Sequence, residues 1–509
     1  MPSAAPPITP YRGIVTVCVM MATTMQALDT TIANIALPHM QGSFSASQDQ
    51  VNWVLTSYIV AAAIATPPTG WIARRFGRTR ILLVAVAGFT IASMLCGLAQ
   101  SIEQMVLFRL MQGLCGASLV PLSQSIMLDI YPREQQASAM AMWGVGVMVG
   151  PIIGPTLGGW LTENLDWRWV FFINLPIGVV TWLGLKTFLR ETSKAETIPF
   201  DWFGFGTLSV ALGGLQLMLD RGEQLDWFDS PEIIIETAAA GLAFYLFLVH
   251  TFSAKHPFIP PSLFKDRNFL LGSASIFTLG VVVFATMALL TPFLQQVLGF
   301  PVVTAGLTLG SRGIGTMFAM FLTGRLAGRV DNRYVLVLGV LLMFLSLHSM
   351  IGFTYDVSQE TVALSGLEQG IGIGFLFVTL STTSFSSLSP SQRTEGASVF
   401  TLSRNIGSAI GISIFGSLLS QGTRVNHAEI SGYVTPFNRM LATDAPGLFG
   451  PDRVHAAAQL DQLIDKEAVT IAYIDDFKLM MILGLAVLPL VLMVRPNQGA
   501  AKSDPVVLD

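Results

Sequence analysis

Charge is what this sequence has least of. Of its 509 residues only 12% are Asp, Glu, Lys or Arg, 52% are hydrophobic, and the mean hydropathy is +0.61. Water-solvated domains carry roughly 25% charged residues, so a soluble globular class is excluded and a membrane class follows. Cysteine is scarce too. Cys18, Cys96 and Cys115 lie inside apolar runs at unrelated spacings. That is neither a disulfide framework nor a C-x-x-C site, and they read as small apolar fillers. The histidines are scattered, and no H-E-x-x-H or G-x-S-x-G element occurs. No metal, cofactor or hydrolytic chemistry is therefore read from the chain. The formal net charge of −4 is small and points to no nucleic-acid partner. A basic leader is also missing: the first dozen residues carry one charge, and the apolar run behind them contains Asp29. A cleaved signal peptide has a basic start and a shorter core, so an uncleaved first span is expected.

What is present is apolar length. A hydrocarbon core about 30 Å thick needs roughly 20 helical residues, and such runs recur at 14–37, 50–72, 80–99, 104–128, 138–160, 168–189, 201–220, 232–252, 268–296, 303–327, 334–353, 362–386, 396–421 and 478–494. Backbone groups in lipid must be satisfied internally, so each run is expected to be a helix. Lys and Arg then orient the set. With a cytoplasmic N-terminus, the inner segments hold Arg74, Arg75, Arg78, Arg80, Arg133, Arg190, Lys194, Arg325, Arg329, Arg333, Arg393, Arg495 and Lys502, whereas outer basic residues such as Arg439 fall mostly in one long loop, 422–477. Both termini are expected inside, with an even number of spans. The chain also repeats itself. Gly70-Trp-Ile-Ala-Arg-Arg75 and Gly324-Arg-Leu-Ala-Gly-Arg329 share the pattern G-x-[IL]-A-x-R, and the same offset carries the first span onto the ninth. Six spans, two inserted spans and six more are the simplest arithmetic.

Several local motifs now resemble a known family. Gly70 to Arg80, with Gly70, Arg75, Gly77 and Arg78, is similar to the loop motif of major facilitator transporters; Arg109-Leu-Met-Gln-Gly113 resembles their span 4 motif. Gly150-Pro151-Ile-Ile-Gly154-Pro155-Thr-Leu-Gly158 resembles the span 5 antiporter motif. Leu28 to Pro38 is similar to the span 1 motif of fourteen-span drug:H+ antiporters of the EmrB/QacA type. Trp167 to Pro176 and Leu217 to Phe228 resemble the EmrB branch.

The resemblance implies an all-α membrane protein of the major facilitator fold. Its expected parts are a cytoplasmic segment 1–13, a six-helix bundle 14–189, two inserted helices within 190–267, a second bundle 268–494 and a tail 495–509. It implies proton-driven export of hydrophobic or cationic drugs from a bacterial inner membrane, through a periplasmic adaptor and an outer-membrane channel for which loop 422–477 is a plausible dock. A lid without a partner is the competing reading of that loop, and export of one dedicated metabolite or siderophore is the alternative function. One departure stands out. The loop motif usually has an acidic residue where this chain has Arg74, so the usual gating contact is not expected at that position.

Ionisable side chains at membrane depth cost several kcal/mol and mark pathways or relays. Asp29, Arg109 and Glu368 all fall in the outer halves of their spans, within roughly 5 Å in depth at 1.5 Å per residue. Asp29 is expected to carry the proton, Arg109 to pair with it, and Glu368 to bind a cationic drug or share the proton. Hydrogen bonding across helices, or capping of a broken helix beside Thr30 and Thr31, is the competing role for Asp29. Arg312 and Arg404 are expected to find partners within the second half. Gly146, Gly150, Gly154 and Gly158 recur every four residues beside Pro151 and Pro155, and this spacing lets helices approach closely. A pliable contact between the two halves is expected there. The substrate cavity should lie between the halves near mid-membrane. Its candidate lining is Gln26, Asn34, Gln112 and Gln124, with Met20, Met21, Met25, Phe375 and Phe385, since Met and aromatics adapt to varied ligands.

Overall fold

Lipid leaves these apolar runs no other way to satisfy their backbone groups, and each of them is helical in the computed structural model. The structure describes residues 11–132, 135–191, 199–255, 257–327, 329–389, 392–435 and 453–494. Arg133, Lys194, Arg439, the tail 495–509 with Arg495 and Lys502, and most of the segment 1–13 lie outside those residues. In the first half stand α1 (Arg12–Phe44), α2 (Gln48–Ala65), α3 (Thr69–Phe76), α4 (Arg78–Leu98), α5 (Ile102–Gly116), α6 (Leu119–Ile130), α7 (Gln136–Asn164), α8 (Trp169–Phe172) and α9 (Asn174–Phe188). The inserted pair is α10 (Trp202–Arg221) and α11 (Pro231–Ser253). The second half has α12 (Ser262–Lys265), α13 (Arg267–Pro292), α14 (Val302–Leu326), α15 (Asn332–Ile351), α16 (Gln359–Ser386), α17 (Arg393–Gly432), α18 (Arg453–Leu485) and α19 (Val487–Leu492). No strand occurs among the described residues. Eleven helical stretches among them are long and apolar enough to cross a membrane on composition alone. The fourth and sixth spans are each made of two helices, α5 with α6 and α8 with α9.

Close approach of helices follows the glycines. A Cβ at Gly150 would lie 2.7 Å from the backbone nitrogen of Leu28, and one at Gly154 would lie 2.2 Å from Thr31 Oγ1. Gly146 faces Met20, and Gly158 faces Ile32. The glycine row of α7 therefore meets α1 of its own half. It is not the contact between halves expected from the motif, because the spacing of four fixes one stripe of the helix without saying which neighbour it faces. Thr24 seals the same seam by donating to the Gly146 carbonyl at 2.7 Å. Pro151 lines the central cavity; Pro155 stands in the same helix, its side chain outside the described set. The second half is met by the other stripe of α7: Ile152 packs over Gly313 of α14, Met320 of α14 packs over Gly144, and Ala141 and Ser138 pack over Gly324 of α14.

The inserted helices are not peripheral decoration. α10 packs against α2 of the first half and α17 of the second, and α11 packs on α10. Thr56 on α2 donates to the Asp220 carboxylate. Ser413 on α17 donates to the Leu219 carbonyl at 2.7 Å, and Trp227 Nε1 donates to Ser417 Oγ at 2.6 Å.

The segment 422–477, read from sequence as a loop, is mostly helix. α17 has 40 residues, about 60 Å at 1.5 Å per residue, twice the ~30 Å of the hydrocarbon core. It runs into that segment up to Gly432, and α18 returns from Arg453; residues 436–452 lie outside the described set. Asn426 donates to the Ala468 carbonyl at 3.3 Å, and His427 Nε2 sits 3.2 Å from Asp461 and 3.4 Å from Asp465. The pair is thus a helical hairpin standing proud of the bundle.

A methyl group added at position 150 must push α1 from α7, and overpacking of this kind costs typically 1–3 kcal/mol. Gly159 has nothing within 4 Å of its would-be Cβ. Gly150→Ala should therefore lower thermal stability and transport sharply while Gly159→Ala leaves both near wild type, as measured by unfolding in detergent and uptake into liposomes. Equal behaviour of the two variants would remove the packing account.

Candidate functional site

Asp29 stands near the middle of α1, because that helix runs on to Phe44 instead of ending near residue 37. Both Asp29 and Arg109 are 1% exposed. Arg109 Nη1 donates to Asp29 Oδ2 at 2.7 Å and to Gln112 Oε1 at 2.8 Å, and its Nε donates to the Val54 carbonyl at 3.2 Å. The guanidinium lies over the Tyr58 ring, 4.4 Å from its centroid. The other carboxylate oxygen is held twice, by Gln112 Nε2 at 2.8 Å and by Asn174 Nδ2 at 3.0 Å. Asn174 in turn bonds Ser93 Oγ at 3.0 Å, and Ser93 donates to the Phe171 carbonyl at 2.9 Å. Four helices thus supply side chains to one carboxylate–guanidinium pair. An ion pair away from water persists only when its remaining donors and acceptors are satisfied in this way. Asn174 was within reach of the sequence, inside the Trp167–Pro176 motif, but no spacing rule links it to Asp29.

A cavity of about 750 Å³ lies between the halves. Its walls come from α1 (Gln26, Thr30, Asn34), α2 (Tyr58, Ile59), α10 (Leu212, Leu215, Asp220), α13 (Phe284, Met287) and α17 (Arg404, Asn405, Ile412), and one edge is Arg109. Of the nine lining candidates, two, Gln26 and Asn34, are there. Gln112 is buried against Asp29 instead. Gln124, Met25 and Phe375 are buried and do not line the cavity, Met25 within the first half and Phe375 beside Ala319 and Val335 in the second. Met20, Met21 and Phe385 do not line it either. These assignments fail because helical position gives depth, while facing depends on which neighbour each helix chooses. Glu368 does not line the cavity, and it makes no hydrogen bond or ion pair among the described residues. Arg312 and Arg404, expected to be paired, meet no carboxylate within ion-pair distance there.

The sequence model of the Major Facilitator Superfamily matches residues 19–412. The chain belongs to that superfamily. It is 34% identical over 493 residues to the multidrug export protein EmrB of Escherichia coli strain K12, covering 96% of each chain. It is 35% identical over 489 residues to the fatty acid resistance protein FarB of Neisseria gonorrhoeae, covering 95% of this chain and 96% of that one. Within the superfamily it falls in the EmrB branch. Among solved structures, the human organic anion transporter MFSD10 superposes with a TM-score of 0.61 at 15% identity, covering 93% of this chain and all of that one. A double-Trp mutant of XylE superposes at 0.62 and 13% identity, covering 96% of each. At such identities the likeness is one of fold.

The facilitator halves close on each other at the basic side, where the loop motif lies. Arg74 Nη2 sits 2.6 Å from Glu395 Oε1, so a contact does form at the position where none was expected, with an arginine in the acidic residue's place. Its partner is a side chain of α17. A Cβ at Gly70 would lie 2.6 Å from Glu395 Cγ, so glycine there serves this approach and not a turn. Asp129 at the end of α6 receives both Arg78 of α4 and Arg393 of α17, the latter at 3.1 Å. Arg393 also donates to the Leu128 carbonyl at 3.0 Å, and the Ser125 and Thr394 hydroxyls meet at 2.8 Å. Gly77 makes a turn between α3 and α4: its φ is +92°, and the Glu191 carboxylate then caps α4 through the N–H groups of Arg78 and Thr79 at 3.1 Å each. No ion pair is formed by Arg75 among the described residues.

Glu395 is 6% exposed and Arg74 25%. Contacting charges of this kind show coupling of roughly 0.5–3 kcal/mol in double-mutant cycles. Glu395→Arg should slow transport about tenfold, and adding Arg74→Glu should restore most of it, since the pair re-forms with its signs exchanged. A double variant as slow as the single one would deny the contact any part in the cycle.

Proposed function

We propose that the chain is a proton-driven exporter of hydrophobic or cationic drugs in a bacterial inner membrane, a carrier that makes and breaks no covalent bond in its cargo. The observation that carries this reading is the Asp29–Arg109 pair, 2.7 Å apart and 1% exposed on each side, with Arg109 bordering the cavity between the halves. The names of the EmrB relatives, multidrug export proteins, support drugs as cargo. Taking the basic side as cytoplasmic, the contacts of Arg74 and Arg393 close the inner face, while the cavity walls reach Asn34, Glu223 and Leu419 toward the outside. In this state the outer cavity reaches as far as Arg109; Asp29 lies behind it, 1% exposed and off the cavity wall, so a proton reaches it only as that pair opens. A protonated Asp29 no longer attracts Arg109 as an ion, and Arg109 keeps Gln112, Val54 and the Tyr58 and Phe171 rings. Two charge pairings then correspond to two arrangements of the first half, which is what a ligand-driven switch of access requires.

Asp29→Asn tests the reading. The amide preserves shape and keeps a hydrogen-bonding oxygen for Gln112 and Asn174, so the variant should fold and still bind a fluorescent drug. In proteoliposomes under an imposed ΔpH it should no longer drive efflux. Drug movement that still follows the pH gradient in this variant would take Asp29 out of the coupling.

The hairpin of α17 and α18 is the surface we assign to a periplasmic adaptor that passes cargo to an outer-membrane channel. Its helices extend beyond the span they belong to, and the His427–Asp461 and Asn426–Ala468 contacts hold them together as a unit. Deleting part of 430–470 should abolish drug resistance in cells while leaving liposome transport intact. Loss of transport in both settings would instead make the hairpin part of the carrier.

A further inference from the structure

The amide of Asn174 is only half used. Asn174 opens α9, because Pro176 cannot donate to the Phe172 carbonyl and so breaks the sixth span just before it. The side chain is fully buried, and its Nδ2 donates at 3.0 Å both to Asp29 Oδ1 and to Ser93 Oγ. Its Oδ1 is buried with no donor among the described residues. An amide oxygen left unpaired in the interior is costly. The neighbours set this orientation: an ionised Asp29 only accepts, and Ser93 already gives its proton to the Phe171 carbonyl at 2.9 Å, so both require a donor. Protonation reverses the demand at one atom. Asp29 Oδ2 faces the Arg109 guanidinium at 2.7 Å, so an added proton settles on Oδ1. There it meets two donors, Gln112 Nε2 at 2.8 Å and Asn174 Nδ2 at 3.0 Å. An O–H set against two N–H groups has no acceptor, and one amide must turn over. Gln112 is held: its Oε1 takes Arg109 Nη1 at 2.8 Å and the Cys96 thiol at 3.6 Å, and turned over it would aim its NH2 at the guanidinium. Asn174 has an oxygen to offer. The other titratable groups facing Asp29 are Arg109 of α5, Tyr58 of α2 and Cys96 of α4, none of them a carboxylate, and α7 meets this stretch of α1 at Gly150.

We infer that Asn174 is the positioning residue that follows the charge of Asp29: it donates to the carboxylate and, turned over about its Cβ–Cγ bond, accepts the O–H of the acid. This concerns the regulation of the site proposed above and rests on that reading. The proton comes from cavity water as the pair with Arg109 opens, and it rests on Asp29 Oδ1; Asn174 keeps both of its own hydrogens throughout. Turning brings Oδ1 to the place of Nδ2, between Asp29 and Ser93, whose hydroxyl rotates to suit. The oxygen that is unpaired beside the carboxylate is thus paired beside the acid.

The test titrates Asp29 in the full chain reconstituted in lipid, through the infrared band of its protonated carboxyl, identified as the band that Asp29→Asn removes. Asn174→Leu keeps the size of the side chain and removes donor and acceptor together. The carboxylate then still has Gln112, whereas the acid has no acceptor. The band should therefore be half developed at a pH lower than in wild type by about half a unit or more. Asn174→Ser, whose hydroxyl donates or accepts by rotating, should lie closer to wild type. A shift of Asn174→Leu to higher pH would leave Asn174 a donor to the carboxylate and nothing more, and an unchanged midpoint would leave it a packing residue. Either result overturns the inference, as does Asn174→Ser shifted as far as Asn174→Leu, or no band lost in Asp29→Asn. Should Asn174→Leu fail to fold, judged by loss of fluorescent drug binding, Asn174→Ala carries the same comparison with Asn174→Ser. The two readings fail separately. If Asp29→Asn abolishes ΔpH-driven efflux but Asn174→Leu leaves or raises the midpoint, the exporter stands and this inference falls. If the midpoint drops as expected but efflux in Asp29→Asn still follows ΔpH, the amide switch stands and the coupling assigned to Asp29 falls.

Discussion

A carboxylate and a guanidinium facing each other among apolar helices set the terms for the first half of this molecule. Each ion would be costly there alone, because the effective penalty for withdrawing it from water is several kcal/mol. The neighbourhood answers that demand. Gln112 and Asn174 occupy one carboxylate oxygen, Val54 gives up a backbone carbonyl, and Tyr58 covers the cation with its ring. Each of these groups belongs to a different helix from Asp29, so the pair also fixes how α2, α5 and α9 stand around α1. The glycine row of α7 completes the enclosure, since only residues without a Cβ allow α7 to lie against the backbone of Ala27 and Leu28, next to Asp29. A change in the charge of Asp29 is therefore felt as a change in packing.

The duplication is visible in how the halves touch. Gly70 of the first loop motif lies under Glu395 on α17, and its repeat counterpart Gly324 lies under Ser138 and Ala141 on α7. Each half thus offers a bare stretch of backbone to the start of the helix that corresponds to α7 or α17 in the other. The chemistry at the two contacts has diverged. One is an ion pair, Arg74–Glu395, backed by Asp129 between Arg78 and Arg393; the other is small side chain on glycine. An uncharged contact slides at little cost, whereas the charged one must lose its partners to open. The first is suited to a pivot and the second to a latch.

How much of this was legible beforehand follows from what each sequence signal measures. Apolar length placed the helices, because hydrocarbon thickness fixes how long such a run must be. Eleven helical stretches among the described residues, against fourteen expected runs, are long and apolar enough to cross a membrane. Depth along a span placed Asp29 and Arg109 within reach of each other, and they do pair. α1 nevertheless runs past the end from which that depth was counted, and Glu368, set at the same depth, does not join them. Facing was not legible. Gln26 and Asn34 line the cavity while Gln112, Gln124 and Met25 from the same half do not, and nothing in periodicity separates them when whole helices are apolar. The hairpin beyond Leu419 escaped for the opposite reason: Gln421 to Gly432 is polar, so a rule tuned to apolar runs stops where the helix continues. Arg74 misled because an acidic residue was sought on the loop, whereas the acid of this contact stands on the facing helix as Glu395.

The inserted pair bears on how access can alternate. α10 spans the gap between halves near the outer side, bonded to α2 through Asp220 and to α17 through Leu219 and Trp227. If the halves rock, one of these attachments must yield. The bonds to α17 are between neutral groups, each worth about 0.5–1.5 kcal/mol, while the hydroxyl–carboxylate bond to α2 belongs to the stronger class of about 1.5–3 kcal/mol. The two attachments are therefore nearly matched in strength, two weak bonds against one strong one. An insertion held this evenly can travel with either half, so it covers the side of the cavity without locking the halves together. That balance also explains how two extra helices were accommodated between the repeats without abolishing their relative motion: the wall they add is fastened by bonds that the rocking of two six-helix bundles can break.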